Sequence, residues 1–247
     1  MRRLLILPGF LALWQAAAVA AGERAYILPT PLQTITAWID RREIIFDHAW
    51  VTFLEIILGL GLGGLLGAGT ALAMAASPNL RRWVLPVLVA SQAVPVFALA
   101  PLLVLWLGYG MASKIAMAVI VIYFPVAAAF LDGLRRTDPG WLDLARTMNA
   151  PPSAILLQIS LPAALPALAS GLRVATAVAP IGAVIGEWVG SSAGLGYLML
   201  QANARMQVPV MFAALLTLSI FAVGLYLTVE RLLRRALPWQ ADAPPTA

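Results

Sequence analysis

Polar positions are so sparse along this chain that the apolar runs between them dictate its architecture. Six stretches approach or exceed the roughly 20 apolar residues that a helix needs to cross a hydrocarbon core about 30 Å thick. They run from about Leu4 to Ala21, Trp50 to Ala76, Val84 to Leu107, Ile115 to Leu131, Ala167 to Val189 and Val210 to Val229. The second carries one charge, Glu55, and the third carries none. The pattern predicts an all-α polytopic membrane protein, one domain over residues 1–247, with six transmembrane helices. Arg2-Arg3, an apolar run and the small residues from Ala16 to Ala21 would also describe a secretory signal peptide. The length of the run and its interruption at Trp14-Gln15 favour a span.

Two connections have patterns of their own. In the first, Tyr26-Ile27-Leu28-Pro29-Thr30-Pro31 reads as an extended lead-in, because each proline biases its predecessor away from helix. Leu32, Ile35, Trp38 and Ile39 then fall at helical spacing, which predicts a short amphipathic helix lying on the membrane surface. The second runs from Asp132 to about Pro166 and is broken by Asp138-Pro139-Gly140, Pro151-Pro152, Pro162 and Pro166. Between those breaks, Trp141 to Ala150 can form a short helix. A merely solvated loop poorly explains Met148, Ile155, Leu156, Leu157 and Ile159 within it.

Composition agrees with a bilayer environment. Of the 247 residues 62% are hydrophobic and 11% charged, against about 25% charged in a soluble domain. With no Cys and one His, a zinc or iron–sulfur site would rest almost wholly on carboxylates, and none is expected. Charge then orients the spans. With the N-terminus inside, 11 of the 16 basic residues fall on the inner side, among them Arg81, Arg82, Arg135, Arg136, Arg146 and the Arg231–Arg235 cluster. Arg24, Arg41, Arg42, Lys114 and Arg205 fall outside, a bias that matches the positive-inside rule. No basic stripe interleaves with aromatics, so nucleic acid is not an expected partner.

Candidate chemistry is thin. Gly59-Leu60-Gly61-Leu62-Gly63-Gly64 fits G-x-G-x-x-G, but it sits mid-span with no acidic residue about 20 positions on. Gly59, Gly63 and Gly67 instead repeat every four residues and predict close helix packing. There is no Walker A sequence and no nucleophile–base pair, so no catalytic residue is assigned. His48 lies at the outer membrane edge, and Lys114 in a short outer turn. Ionisable groups in spans are costly and often functional. Glu55 is near the outer end of its span, where it can snorkel; Arg173 reads as an inner interfacial anchor. Glu187 is either an interfacial carboxylate or part of a pathway. Ser91, Gln92 and Pro95 put an amide beside a bend and can line a passage or simply join helices.

One stretch carries a resemblance. Asp143-Leu144-Ala145-Arg146-Thr147-Met148-Asn149-Ala150, with nine residues between Asn149 and Ile159-Ser160-Leu161-Pro162, resembles the E-A-A–x3–G–x9–I–x–L-P loop of ABC importer permease subunits. Leu144 replaces the first alanine and Asn149 the glycine. Asn is the next best residue at a left-handed helix terminus, so the turn can survive. The Leu28-Pro29-Thr30-Pro31 lead-in, Leu161 to Pro166 with Gly171-Leu172-Arg173, and Gly194-Leu195-Gly196-Tyr197-Leu198 are similar to the nitrate/sulfonate/taurine group. Ala179 to Gly190 looks most like members associated with pyrimidine precursors of thiamine, such as hydroxymethylpyrimidine.

The resemblance implies a type I importer permease fold in a bacterial inner membrane, multi-pass, with both termini cytoplasmic. It implies a homodimer that binds two cytoplasmic ATPase subunits, which hold the ATP and Mg, and that receives solute from an external binding protein. Asp143 to Ala150 would form the coupling helix. The alternative is a secondary carrier driven by an ion gradient, which commonly has midplane ionisable groups and inverted repeats; neither is found here.

Overall fold

The structure, a computed structural model, describes residues 2–22 and 27–239. Arg24 and Tyr26 lie outside them. The described residues form helices and turns. In chain order these are α1 (Arg2–Ala20), α2 (Pro31–Asp40), α3 (Arg42–Ala76), α4 (Pro78–Ser91), α5 (Val96–Leu107) and α6 (Met111–Arg135). There follow α7 (Pro139–Thr147), the single turn α8 (Pro152–Ala154), a π-helical stretch Ile155–Ser160, α9 (Leu161–Gly190), α10 (Leu195–Ala204) and α11 (Val208–Ala236).

Local chemistry sets the boundaries. Thr30 and Gln33 form a reciprocal capping box at the start of α2, with Pro31 in its first turn. Ser77 caps α4 through the Leu80 N–H, again with a proline next. The predicted amphipathic helix is therefore real, and Trp38 Nε1 ties it to Thr217 Oγ1 of α11 at 3.0 Å. The first apolar stretch is part of the same body: Trp14 Nε1 donates to the Pro29 carbonyl at 3.0 Å, and its ring lies 6.0 Å from that of Phe212.

The third expected span is not one helix. Val84 to Leu107 is divided between α4 and α5, whose axes differ by 104° across the break at residues 92–95. Pro95 has no N–H to give the ladder and disfavours helix at Val94 before it, so an expected bend becomes a full break. The fourth span begins earlier than its apolar run, at Met111, and so takes Lys114 into its first turn.

At the centre, α6 is held between α3 and α9. A methyl group placed on Gly63 would sit 2.8 Å from Ile122 Cγ2, and one on Gly67 would sit 2.9 Å from the Tyr123 carbonyl oxygen. On the other side a methyl on Gly182 would come within 2.9 Å of Ala118 Cα. The glycine repeat is a packing face, as its spacing predicts. Ile56, Ile122, Val126, Ala175 and Ala183 fill this core, while Leu65, Val223 and Trp50 stay exposed toward lipid.

Candidate functional site

Two regions, at opposite ends of the long helices, hold most of the side chains with chemistry. The first is built on α7. Asp138 accepts from the Gly140 N–H at 2.7 Å and starts the helix beside Pro139. Asn149 ends it at φ 57°, with its own N–H on the Arg146 carbonyl at 2.9 Å and the Ala150 N–H on the Ala145 carbonyl at 3.0 Å. Those two bonds are a Schellman closure with asparagine in the left-handed position. Asn149 thus does what a glycine there would do.

Ala145 is buried beneath the helix, while Trp141, Leu144 and Met148 remain exposed, Met148 at 74%. With Ile159, Pro162 and Trp239 they line an open apolar groove of about 510 Å³. Sequence spacing thus brings Leu144, Ala145, Met148, Ile159 and Pro162 to one place; Trp239 joins them from the far end of the chain. Leu161 is half-buried against the core. Ala150 faces a second depression, with Arg81 and Arg146. Asp143 points to solvent and pairs with Arg146 Nη1 at 2.9 Å, an exposed contact of small energetic weight.

The second region is buried and polar. Glu55 of α3, 0% exposed, lies 3.0 Å from Lys114 Nζ of α6. The ammonium offers charge without hydrogen-bond alignment, and neither Glu55 oxygen accepts a directed bond. Glu187 of α9 is 1% exposed and stands close enough to Glu55 for the two carboxyl groups to interact. Thr52 donates to Glu187 Oε1 at 2.6 Å. The same hydroxyl accepts the Leu195 N–H at 2.8 Å, Glu187 Oε2 accepts the Gly196 N–H, and His48 Nδ1 accepts the Gly194 N–H at 2.9 Å.

This arrangement answers a local deficit. The first N–H groups of any helix lack partners within it, and Gly194 has no side chain to cap α10. Three side chains from α3 and α9 do so instead. Gly194 stands at φ 113°, and a Cβ there would collide with the Glu187 carboxyl, so only glycine fits.

Several expectations change here. Glu55 does not snorkel and Lys114 is not in a turn; each neutralises the other in a place where an unpaired charge would be prohibitive. Glu187 is buried rather than at an interface, and its oxygens accept from Thr52 and the Gly196 N–H. It is not brought together with Ser91, Gln92 and Pro95, which are exposed at the α4–α5 break, where Ser91 Oγ donates to the Leu88 carbonyl at 2.7 Å. Arg173 is more than an anchor: its Nε donates to Glu230 of α11, which also takes Arg234 Nε at 2.6 Å. The available signal for the buried pair was one acid and one lysine at the ends of otherwise apolar runs.

Comparison with known proteins bears on the whole chain. Residues 59–238 match the family model described as "Binding-protein-dependent transport system inner membrane component". A "Probable ABC transporter permease protein" of Haemophilus influenzae is 55% identical, covering 95% of this chain and 96% of its own length. The "Formylaminopyrimidine transport permease protein ThiX" of Halalkalibacterium halodurans is 36% identical, covering 93% and 92%. A solved structure of the MetNI methionine ABC transporter, 19% identical, superposes with TM-score 0.70 over 79% of this chain and 97% of that one, which shows a shared fold.

Proposed function

Since the chain belongs to the family of binding-protein-dependent transport system inner membrane components, we propose that it is the membrane path for a thiamine pyrimidine precursor, an aminopyrimidine of the hydroxymethylpyrimidine kind. The observation that supports this solute class is the 36% identity, end to end, with a permease named for formylaminopyrimidine. Two copies of the chain pair, with both termini and the α7 end on the cytoplasmic side, as the arginine distribution favours.

The exposed apolar side of α7 is the handle for the energy source. A cytoplasmic ATPase, which holds the ATP and Mg, seats Leu144 and Met148 in a groove of its own, with Asp143 at the start of the helix and Asn149-Ala150 closing it. Ile159, Leu161 and Pro162 carry displacement of α7 into α9. This chain supplies no catalytic group. An external binding protein delivers the solute, and Ser91, Gln92 and Pro95 at the α4–α5 break are the candidate passage. Coupling of this kind requires contacts that differ between the two states.

The test is uptake into vesicles holding this chain with its ATPase and binding protein. ATP-dependent accumulation of labelled aminopyrimidine, in preference to taurine, is the expected result. Uptake of taurine instead would overturn the solute class, and uptake driven by an ion gradient without ATP would overturn the mechanism.

A further inference from the structure

With Lys114 accounted for by Glu55, the cations expected on the outer side that remain among the described residues are Arg41, Arg42 and Arg205. Two of these meet. Arg41 stands at the joint of α2 and α3, and Arg205 closes α10 just before α11. With His48, Tyr197, Gln201 and Gln207 they line a cleft of about 190 Å³. No carboxylate lines it, and among the described residues neither arginine has an ion-pair partner.

The cleft stands where two membrane-crossing helices begin. Arg41 immediately precedes α3 and Gln207 immediately precedes α11. Beside it the apolar surface starts at once: Ile44, Phe46 and Trp50 are exposed on α3, and Leu32, Ile35 and Ile39 on α2. An amphipathic helix with such a face lies in the membrane interface, and an exposed tryptophan at a span end marks the same level. His48 is engaged by Gly194, with Thr52 and Glu187 packed behind it.

We propose that this cleft holds the phosphate of an anionic membrane phospholipid, with the acyl chains along the exposed apolar faces of α2 and α3. Guanidinium forks match phosphate oxygens in a bidentate manner, and Gln201, Gln207 and Tyr197 add neutral donors without bringing a negative charge. Each arginine at a membrane surface adds roughly 1 kcal/mol of attraction to anionic lipid, a factor of about five, so the pair together sets a preference of roughly 30-fold.

The test uses the purified full-length chain in a neutral detergent, with thermal unfolding followed as phosphatidylglycerol, phosphatidylcholine or inorganic phosphate is added. Phosphatidylglycerol is expected to raise the unfolding midpoint, phosphatidylcholine far less and inorganic phosphate not at all. The R41Q/R205Q double variant is expected to need roughly 30-fold more phosphatidylglycerol for the same rise, and R42Q, which removes a neighbouring charge outside the cleft, only slightly more. Equal response to the two lipids, or a double variant that responds as the native chain does, overturns the proposal. So does an R42Q effect as large as that of R41Q. Stabilisation by inorganic phosphate equal to that by phosphatidylglycerol overturns the lipid assignment in favour of a free-anion site. If the double variant does not fold, R41K and R205K replace it: each keeps its charge but loses the fork, and is expected to weaken the lipid response several-fold. No loss in either overturns the geometry.

Discussion

The two ends of the long helices solve opposite problems. At the α7 end, apolar side chains are exposed: among the described residues, Trp141, Leu144 and Met148 stand in an open groove that Trp239 helps to line. At the other end, polar side chains are buried: Lys114 lies against Glu55, and Thr52 and Glu187 bond to each other and to the start of α10. Exposed apolar surface on a structured helix is unfinished until another protein covers it, whereas a buried polar cluster is finished within the chain. On the proposed function the first region serves assembly, while the second joins four helices, α3, α6, α9 and α10.

The sharpest way to break this contrast is to remove one charge from the buried region. Lys114→Met leaves Glu55 enclosed and uncompensated, and loss of one partner of a buried pair costs about 3–5 kcal/mol. Failure to recover folded protein, or a steep drop in unfolding midpoint, is the expected outcome. The double variant Lys114→Met with Glu55→Leu should recover much of the loss; if the single variant unfolds like the native chain, the pair has no structural weight. A smaller effect is expected from Thr52→Val, which strands the Leu195 N–H and removes a donor from Glu187, at about 1–2 kcal/mol. Thr52→Ser should restore the native midpoint, and an unchanged midpoint in the valine variant would disconnect α10 from this cluster.

The α7 end should behave in the reverse way. Met148→Asp and Asp143→Lys change exposed side chains and should move stability by no more than about 0.5 kcal/mol. Both are expected to abolish ATP-driven uptake while the chain still inserts and unfolds normally. Normal uptake by both variants would remove α7 from the coupling path.

The same contrast explains what was readable from the sequence. The α7 region was legible because its contacts are short: helix, left-handed closure and second segment lie within Asp138 to Pro162, and Asn149 declares its turn by residue type. Among the described residues four helices are long and apolar enough to cross a membrane, and the apolar runs located those for the same reason. The buried cluster's bonds from His48 and Thr52 to Glu187, Gly194 and Leu195 join residues 135 to 146 positions apart, and no periodicity reports such pairing. Lys114 reads from the sequence as part of a turn because a charge at the edge of an apolar run looks like the edge itself, although the helix begins at Met111. The sharpness of the α4–α5 break was equally hidden. Proline marks where a ladder fails, but the 104° turn depends on what the two halves pack against.

The glycine faces on either side of α6 have a mechanical consequence. Where helices meet through long side chains, rotamer changes let them slide; where a methyl group would already collide, there is no such compliant layer. The three helices α3, α6 and α9 thus act as a beam. If α7 couples to an ATPase as proposed, a push delivered there would travel along α9 to the capped start of α10 with little taken up on the way, and the bending would be left to the joints: the α4–α5 break and the short links that bound α2 and α10.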